Sequence, residues 1–330
     1  MRRRDILSLL AGAAVPWPLM AIAQQSERMR VIGVLVGVAE DDSEIPHRIA
    51  GFQQGLRELG WNEGRNIRIH YRWAAEIDRM QTFAQELSAL QPDVLVASST
   101  AVVRALLRET RTTPIVFVAA ADPVGDGFVA SLARPGGNAT GFTNSQSSMG
   151  GKWVELLKEI ARDITHVAVM FNPDAAPSGG SYFLPSLHTA AASLAVRSLA
   201  TPVRNPAEIE SALASLGREP GGGVVVMPDN FTSVHRGLIV ALAARYRVPA
   251  IYPFRYFATD RGLMSYGADL IDLYRRIPSY IDRILKGAKP SDLPVQAPAQ
   301  IQLVINLTVA KSLDLTVPRI LLARADKVIE

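Results

Sequence analysis

Small polar residues follow one of the apolar segments of this sequence, at a point where a strand is expected to end. Ser98, Ser99 and Thr100 close the apolar run 93–98 and open a helical pattern. In an open parallel sheet, ligands bind beyond the carboxyl ends of the strands, where helix N-termini offer unpaired N–H groups. These hydroxyls and amides predict a carboxylate site. Simple helix capping explains the same residue types equally well.

An aspartate occupies the equivalent position one strand later. Asp122 follows the apolar run 114–119 and precedes a proline. Asp-Pro is a common turn opener, so one interpretation has the side chain bound to local backbone. The other pairs it with a ligand ammonium. A carboxylate-binding turn beside an ammonium-binding aspartate suits an α-amino acid, which is therefore our hypothesis for the ligand.

Polar and aromatic residues repeat this placement in the second half of the chain. Asp229 and Asn230 follow the run 223–228, Tyr256 lies in the aromatic segment FRYF, and Tyr266 lies in SYGAD. Aromatic clusters usually pack in a core, and they also form walls that hold an apolar or aromatic ligand group. We include these four residues among the candidate ligand-binding residues.

The common catalytic and cofactor motifs are missing from the sequence. Gly33 and Gly37 have the wrong spacing for a dinucleotide-binding loop, and Trp153 stands where a phosphate-binding loop needs Ser or Thr. The chain has no cysteine, and its five histidines never pair at metal-ligand spacing. We expect no enzyme activity, no cofactor and no metal. The alternative is an exported α/β hydrolase with Asp122 or Asp229 as its base.

Short β-branched runs alternate with amphipathic helical patterns along the chain, and these elements must position the candidate residues. The alternation predicts an α/β fold in which parallel sheets carry helices on both faces. Glycine-rich and aromatic breaks near 121–144 and 254–262 interrupt it. Single cores rarely grow past about 250–300 residues, so we expect two separately cored lobes joined by several crossings. The predicted lobes are 29–143 with 259–294, and 144–258 with 295–330.

The first 23 residues have the composition of a cleavable export signal. Arg2, Arg3 and Arg4 precede a short apolar run that ends in the small-x-small sequence 21–23. The arginine pair favours twin-arginine export, with general secretion as the alternative. We expect cleavage after Ala23 and a periplasmic location, because a chain without cysteine offers no site for a lipid anchor.

The charge balance does not favour a polyanionic partner. The whole chain has a formal net charge of only +4, and three of its arginines lie in the expected signal. We therefore expect neither a nucleic acid nor an anionic membrane as a partner. A monomer is the default expectation.

Five segments carry a family resemblance: ELGWNEGRNIRI, VFVAAADPVGDGFVASLARPGGNATGFTN, GGKWVELLKEIA, ILKGAKPSDLPVQAP and the C-terminal VINLTVAKSLDLTVPRILLARADKVIE. They resemble ABC-transporter substrate-binding proteins of the kind described as tryptophan/tyrosine transport components. The motifs D-P-V-G and R-P-G-G-N are the most specific part of this resemblance.

The resemblance implies a two-lobed periplasmic-binding-protein fold of type I with a multi-strand hinge. Such a protein closes over a small solute and delivers it to a permease with its ATPase. By matching motifs, the ligand role extends to Ser99, Thr100, Asp122, Asn144 and Asp229. We expect an amino acid or related carboxylate, with an aromatic one as an option. A sensor that reports its ligand to a membrane receptor is the alternative function.

Overall fold

The first half of the chain folds as a sheet of five parallel strands in the computed structural model, which describes residues 28–330. The expected export signal at 1–23 lies outside the described residues. The elements are β1 Arg30–Val36, α1 Ile45–Glu58, β2 Ile67–Trp73, α2 Ile77–Ala89, β3 Val94–Ala97, α3 Thr100–Glu109, β4 Ile115–Val118 and β5 Ala139–Phe142. The strand order is β2-β1-β3-β4-β5.

The second sheet has seven strands and begins after a crossing from β5. Its elements are α4 Met149–Ile160, β6 His166–Phe171, a 3-10 turn Pro177–Gly180, α5 Leu184–Ser193, β7 Arg197–Pro202, α6 Pro206–Arg218, β8 Gly222–Val226, α7 Asn230–Val234, α8 Arg236–Arg245, β9 Ala250–Tyr252, α9 Arg255–Thr259 and β10 Met264–Ala268.

The rest of the chain returns to the first lobe and then completes the second sheet. Its elements are α10 Leu270–Arg276, α11 Pro278–Leu285, a 3-10 turn Pro290–Asp292, β11 Ile301–Asn306, α12 Leu307–Ser312, α13 Arg319–Arg324 and β12 Lys327–Ile329. The order of the second sheet is β12-β11-β10-β9-β8-β6-β7, with β10 and β11 antiparallel. None of the helices in residues 28–330 has the length and apolar composition needed to cross a bilayer.

The alternation of side chains along each strand explains why helices cover both faces. In β1, Ile32 and Val34 pack in the cluster that includes Phe52 of α1, whereas Leu35 packs with Leu87 of α2 on the opposite face. Strands buried on both sides are continuous apolar runs, as the sequence shows here. This architecture confirms the predicted α/β class with two parallel-sheet lobes.

Strand β10 lies in a different sheet from the one the sequence suggested. The range 259–294 was assigned to the first lobe, but β10 within it pairs with β9 and β11 of the seven-stranded sheet. Only α10 and α11 pack against α1. The short helix α9 alone separates β9 from β10, so these two strands form one parallel unit, and the aromatic segment between them is not a crossing to the first lobe.

The two lobes share part of their core. One cluster of buried apolar side chains runs from Ile32 and Phe52 in the first lobe to Val226 and Tyr252 in the second. Leu273 of α10 belongs to the same cluster. The expectation of two separate cores is therefore corrected: α10 follows a strand of the second sheet directly and carries its apolar face onto the first lobe.

Backbone crossings connect the lobes at the edge formed by β5. Gly141 accepts a hydrogen bond from the Gln296 amide at 2.9 Å, and Thr143 donates one to the Gln296 carbonyl at 2.8 Å. Gly141 has a φ of +152°, and a Cβ there would lie 2.0 Å from the Phe117 carbonyl oxygen. Only glycine fits this close approach of β5 to β4.

We expect Gly141→Ala to lower the free energy of unfolding by at least about 2 kcal/mol, because it combines a disfavoured φ with a backbone clash. The matched control is Gly137→Ala, at an exposed turn where an added Cβ meets no atom within 4 Å. Urea denaturation of both variants measures the difference. Equal unfolding free energies for the two variants would contradict the close packing of β4 on β5.

Candidate ligand-binding site

A cavity lies where the carboxyl ends of the two sheets face each other. Segments that follow β1, β3, β4 and β5 line it from the first lobe, and segments that follow β6, β8 and β9 line it from the second. The space outside protein atoms is about 500 Å³, part of it open to solvent.

Most of the residues predicted from the sequence to bind a ligand lie around this cavity, and two lie elsewhere. Asp122 and Tyr266 are the two that do not line it. Ligand binding by any of the nine stays a prediction. Those that line the cavity are Ser98, Ser99, Thr100, Asn144, Asp229, Asn230 and Tyr256.

The serines before α3 accept hydrogen bonds from backbone amides. Ser99 Oγ accepts a hydrogen bond from the Val102 amide at 3.3 Å, which confirms the predicted helix cap. Ser98 Oγ accepts one from the Gly37 amide at 2.8 Å. In both cases the hydroxyl serves as acceptor, so its proton remains available to a ligand oxygen.

Ala119 holds the turn between β4 and the loop that contains Asp122. Its φ of +64° is unusual for a residue with a side chain, and it lines the cavity. Strain of this kind persists where the surrounding structure enforces it, and it clusters at functional sites. The turn directs the following loop toward the second lobe.

Asp229 is buried and joins two elements of the second lobe. Its carboxylate oxygens accept hydrogen bonds from the Thr232 amide at 2.7 Å and the Asn172 amide at 2.9 Å. Burial raises the pKa of Asp229 from 3.8 to about 7, although these hydrogen bonds act in the opposite direction. The side chain caps α7 and ties it to the end of β6.

Asn230 reaches from the second lobe into the first. Its Nδ2 donates to the Ala75 carbonyl at 3.4 Å. A Cβ on Gly37 would lie 2.3 Å from Asn230 Oδ1, so the two lobes approach each other closely at this point.

Two arginines flank the ring of Tyr256. The guanidinium carbon of Arg48, from the first lobe, lies 5.2 Å from the ring centroid, and that of Arg236, from the second lobe, lies 5.3 Å away. The phenol donates to Ser233 Oγ at 3.0 Å, and burial raises its pKa to about 12. Tyr256 therefore forms a neutral wall between two cations.

Arg48, which is not among the residues predicted from the sequence, also lines the cavity. Arg48 is only 7% exposed, and its Nε has no hydrogen-bond partner. None of the ion pairs formed around the cavity by residues 28–330 includes it. A signal was present: Arg48 shares the buried face of α1 with Ile45, Phe52 and Leu56, where a charge is unexpected.

Arg104, Asp126 and Ser178 form a connection between the lobes, here called the Arg104 bridge. Arg104 donates to Asp126 Oδ1 at 3.0 Å and to the Asp174 carbonyl at 3.0 Å. The Ser178 amide donates to the same Asp126 oxygen at 3.1 Å. Because Asp174 and Ser178 belong to the second lobe, these bonds hold the lobes together.

Asp122 is part of this contact region rather than of the cavity wall. Its Oδ2 accepts from Ser178 Oγ at 2.6 Å, and its Oδ1 accepts from the Gly125 amide at 2.9 Å. The turn role foreseen for Asp122 is thus present. Its contact with a ligand ammonium stays a prediction, which this position does not favour.

A second connection, here called the Arg236 bridge, lies on another side of the cavity. Arg236 donates to Asp42 of the first lobe at 2.5 Å and to Asp260 of the second at 2.8 Å. Arg236 and Asp42 are mostly buried. Arg255 adds an ion pair with Glu44 at 3.7 Å. The lobes are therefore closed over the cavity by bonds that do not involve a ligand.

Tyr266 lies in a different part of the second lobe. Its carbonyl accepts a hydrogen bond from Trp153 Nε1 at 2.7 Å, and its side chain lines a surface groove with Lys152 and Glu155. Within residues 28–330, no group of three His, Cys, Asp or Glu side chains is placed to hold a metal ion.

The fold and the cleft agree with the comparisons to known proteins. Residues 31–329 match the model of the ABC transporter substrate binding protein family, and the chain belongs to that family. A tyrosine-binding protein of Clostridioides difficile strain R20291 is 26% identical over 267 residues, covering 80% of this chain and 76% of that protein.

Two crystal structures have the same fold over nearly their whole length. A conserved domain protein from Vibrio cholerae O1 biovar El Tor has a TM-score of 0.83 and 27% identity, covering 91% of this chain and 100% of that chain. The ABC domain from Streptococcus pneumoniae in complex with L-Trp has a TM-score of 0.83 and 24% identity, with 91% and 99% covered.

We expect Arg104→Met to shift the protein toward an open form, because it removes the charge-assisted bond to the Asp174 carbonyl of the second lobe and the ion pair that positions Asp126 against Ser178. Small-angle X-ray scattering should show a larger radius of gyration than for the wild type. Arg108→Met, on an exposed turn of the same helix, is the matched control and should leave the radius unchanged. An unchanged radius in both variants would argue against the Arg104 bridge.

The raised pKa of Asp229 predicts a pH effect on stability. Between about pH 4 and pH 7 the folded protein keeps a proton that the unfolded chain has released, so its stability falls as pH rises through this window. Asp229→Asn removes this dependence. Urea denaturation at several pH values compares it with the wild type and with Asp163→Asn, an exposed control. Parallel pH profiles for all three proteins would refute the buried protonated aspartate.

Proposed function

We propose that this protein binds a small carboxylate-bearing solute between its lobes in the periplasm and delivers it to the permease of an ABC importer. One observation carries the proposal: polar strand ends from both lobes converge on a single cavity. A solute there touches both halves of the molecule at once, so its binding energy depends on closure.

The closed state has its own hydrogen bonds outside the cavity. The Arg104 and Arg236 bridges lie at its border, and neither needs a ligand to form. A solute that contacts both lobes adds to these bonds and shifts the population further toward the closed form. The closed form is then the one that a membrane permease recognises.

The relatives support a small organic ligand. The curated relative from Clostridioides difficile is named for tyrosine, and the structure from Streptococcus pneumoniae holds L-Trp. The phenyl and aliphatic groups of Phe254, Val38 and Leu270 line the cavity here and suit an apolar or aromatic ligand group.

The same geometry supports binding without chemistry, as a monomer. Both oxygens of Asp229 accept backbone amides, which leaves this aspartate poorly placed to act as a hydrolytic base. A single chain supplies both walls of the cavity, so no second copy is needed to complete it. The expected export signal supports a periplasmic location.

Thermal-shift screening tests this function with amino acids, aromatic and aliphatic carboxylates, purines and small peptides. We expect at least one carboxylate-bearing class to raise the melting temperature, since a solute that binds only the folded state stabilises it. Small-angle scattering should then show a smaller radius of gyration, and mass spectrometry should recover the solute unchanged. Turnover of the solute, or no shift with any class, would contradict the proposal.

A further inference from the structure

We propose that the ligand is an organic anion with a carboxylate and no ammonium group, and that Arg48 is its anchor. The inference rests on the proposed function and narrows the substrate class of the same cavity. It differs from the α-amino acid that the sequence alone suggested.

Arg48 is a buried cation without an anionic partner. Arg48 projects from α1 into the cavity. Only 7% of the residue is exposed, and its Nε makes no hydrogen bond. Two acids that precede Arg48 in the chain are already engaged, Asp42 with Arg236 and Glu44 with Arg255. A buried charge is stable only when it is paired, so the cavity is suited to an anion.

Neighbouring groups complete the donor set around Arg48. The hydroxyls of Ser98 and Ser99 have protons to donate, and the first amides of α3 lack intrahelical acceptors. The Tyr274 hydroxyl lies close to Ser98 and Arg48, behind the cavity wall. A carboxylate accepts several such bonds together with a guanidinium.

The cavity offers no free carboxylate for an ammonium group. Among residues 28–330, Asp229 is the single acidic side chain in its wall. Both of its oxygens already accept backbone amides, and its raised pKa keeps much of it neutral near pH 7. Asp122 lies outside the wall and is bound to Ser178. An ammonium enclosed here loses its water without gaining a charged partner.

The remaining wall is apolar and suits the hydrocarbon part of such an anion. Val36, Val38, Phe254 and Leu270 contribute it. Together with one guanidinium, these groups select a monocarboxylate with an aliphatic or aromatic body over a dianion or a sugar.

Matched pairs of solutes test the ligand class by isothermal titration calorimetry. Each pair shares a carbon skeleton and differs in the amino group: 3-phenylpropanoate and L-phenylalanine, 3-(4-hydroxyphenyl)propanoate and L-tyrosine, 4-methylpentanoate and L-leucine. We expect the amino-free member of at least one pair to bind at least about tenfold more tightly. Equal or tighter binding of the amino acid in every pair overturns the inference.

The role of Arg48 is tested with Arg48→Gln, titrated with the amino-free acid that binds the wild type best. We expect at least about a thirtyfold loss of affinity, because the anion loses its charged partner. Arg57→Gln, at an exposed position of the same helix, should bind like the wild type. An unchanged affinity in Arg48→Gln overturns the anchor role.

The outcomes separate the inference from the proposed function. Binding of amino acids alone overturns the inference and leaves the proposed function intact, whereas binding of uncharged solutes alone overturns both the inference and the carboxylate class of the proposed function. No binding by any solute class overturns both. Should Arg48→Gln fail to fold, the comparison of solute pairs on the wild type still decides the ligand class.

Discussion

A guanidinium group enclosed between two lobes without a carboxylate is the constraint around which this site is built. Removing a charge from water costs free energy that only pairing can offset. Arg48 receives partial compensation from the face of Tyr256 at 5.2 Å, and no ion pair among residues 28–330. The acids that would neutralise it are instead held by Arg236 and Arg255. Closure is therefore most favourable with an anion inside.

The alternating part of the fold was predictable because each strand and helix carries its own periodic pattern. Strand β5 was not, since Ala-Thr-Gly-Phe is short and its place depends on a close contact between Gly141 and Phe117. The helical segment after β10 divides at Ile277, because Pro278 begins a new helix. Strand β10 lies between β9 and β11 in the second sheet, and the antiparallel pairing with β11 is a contact that only the tertiary structure brings about.

The site was predictable to the extent that carboxyl ends of parallel strands must converge. This rule places Ser99, Asn230 and other strand-end residues around one cavity. It does not reveal which polar groups are already satisfied. Asp122 is bound by Ser178, 56 residues further along the chain, and this contact depends on how the lobes meet. The same rule does not identify Arg48, because this residue lies within a helix, away from any strand end.

The contact between Gly37 and Asn230 limits how far the two lobes can close. With a hypothetical Cβ at 2.3 Å from the amide oxygen, the backbone of one lobe already touches a side chain of the other. The two lobes cannot close further than this contact allows, even around a smaller solute. Because Gly37 has no side chain, the lobes can come together to this distance, and a Cβ at that position would hold them further apart.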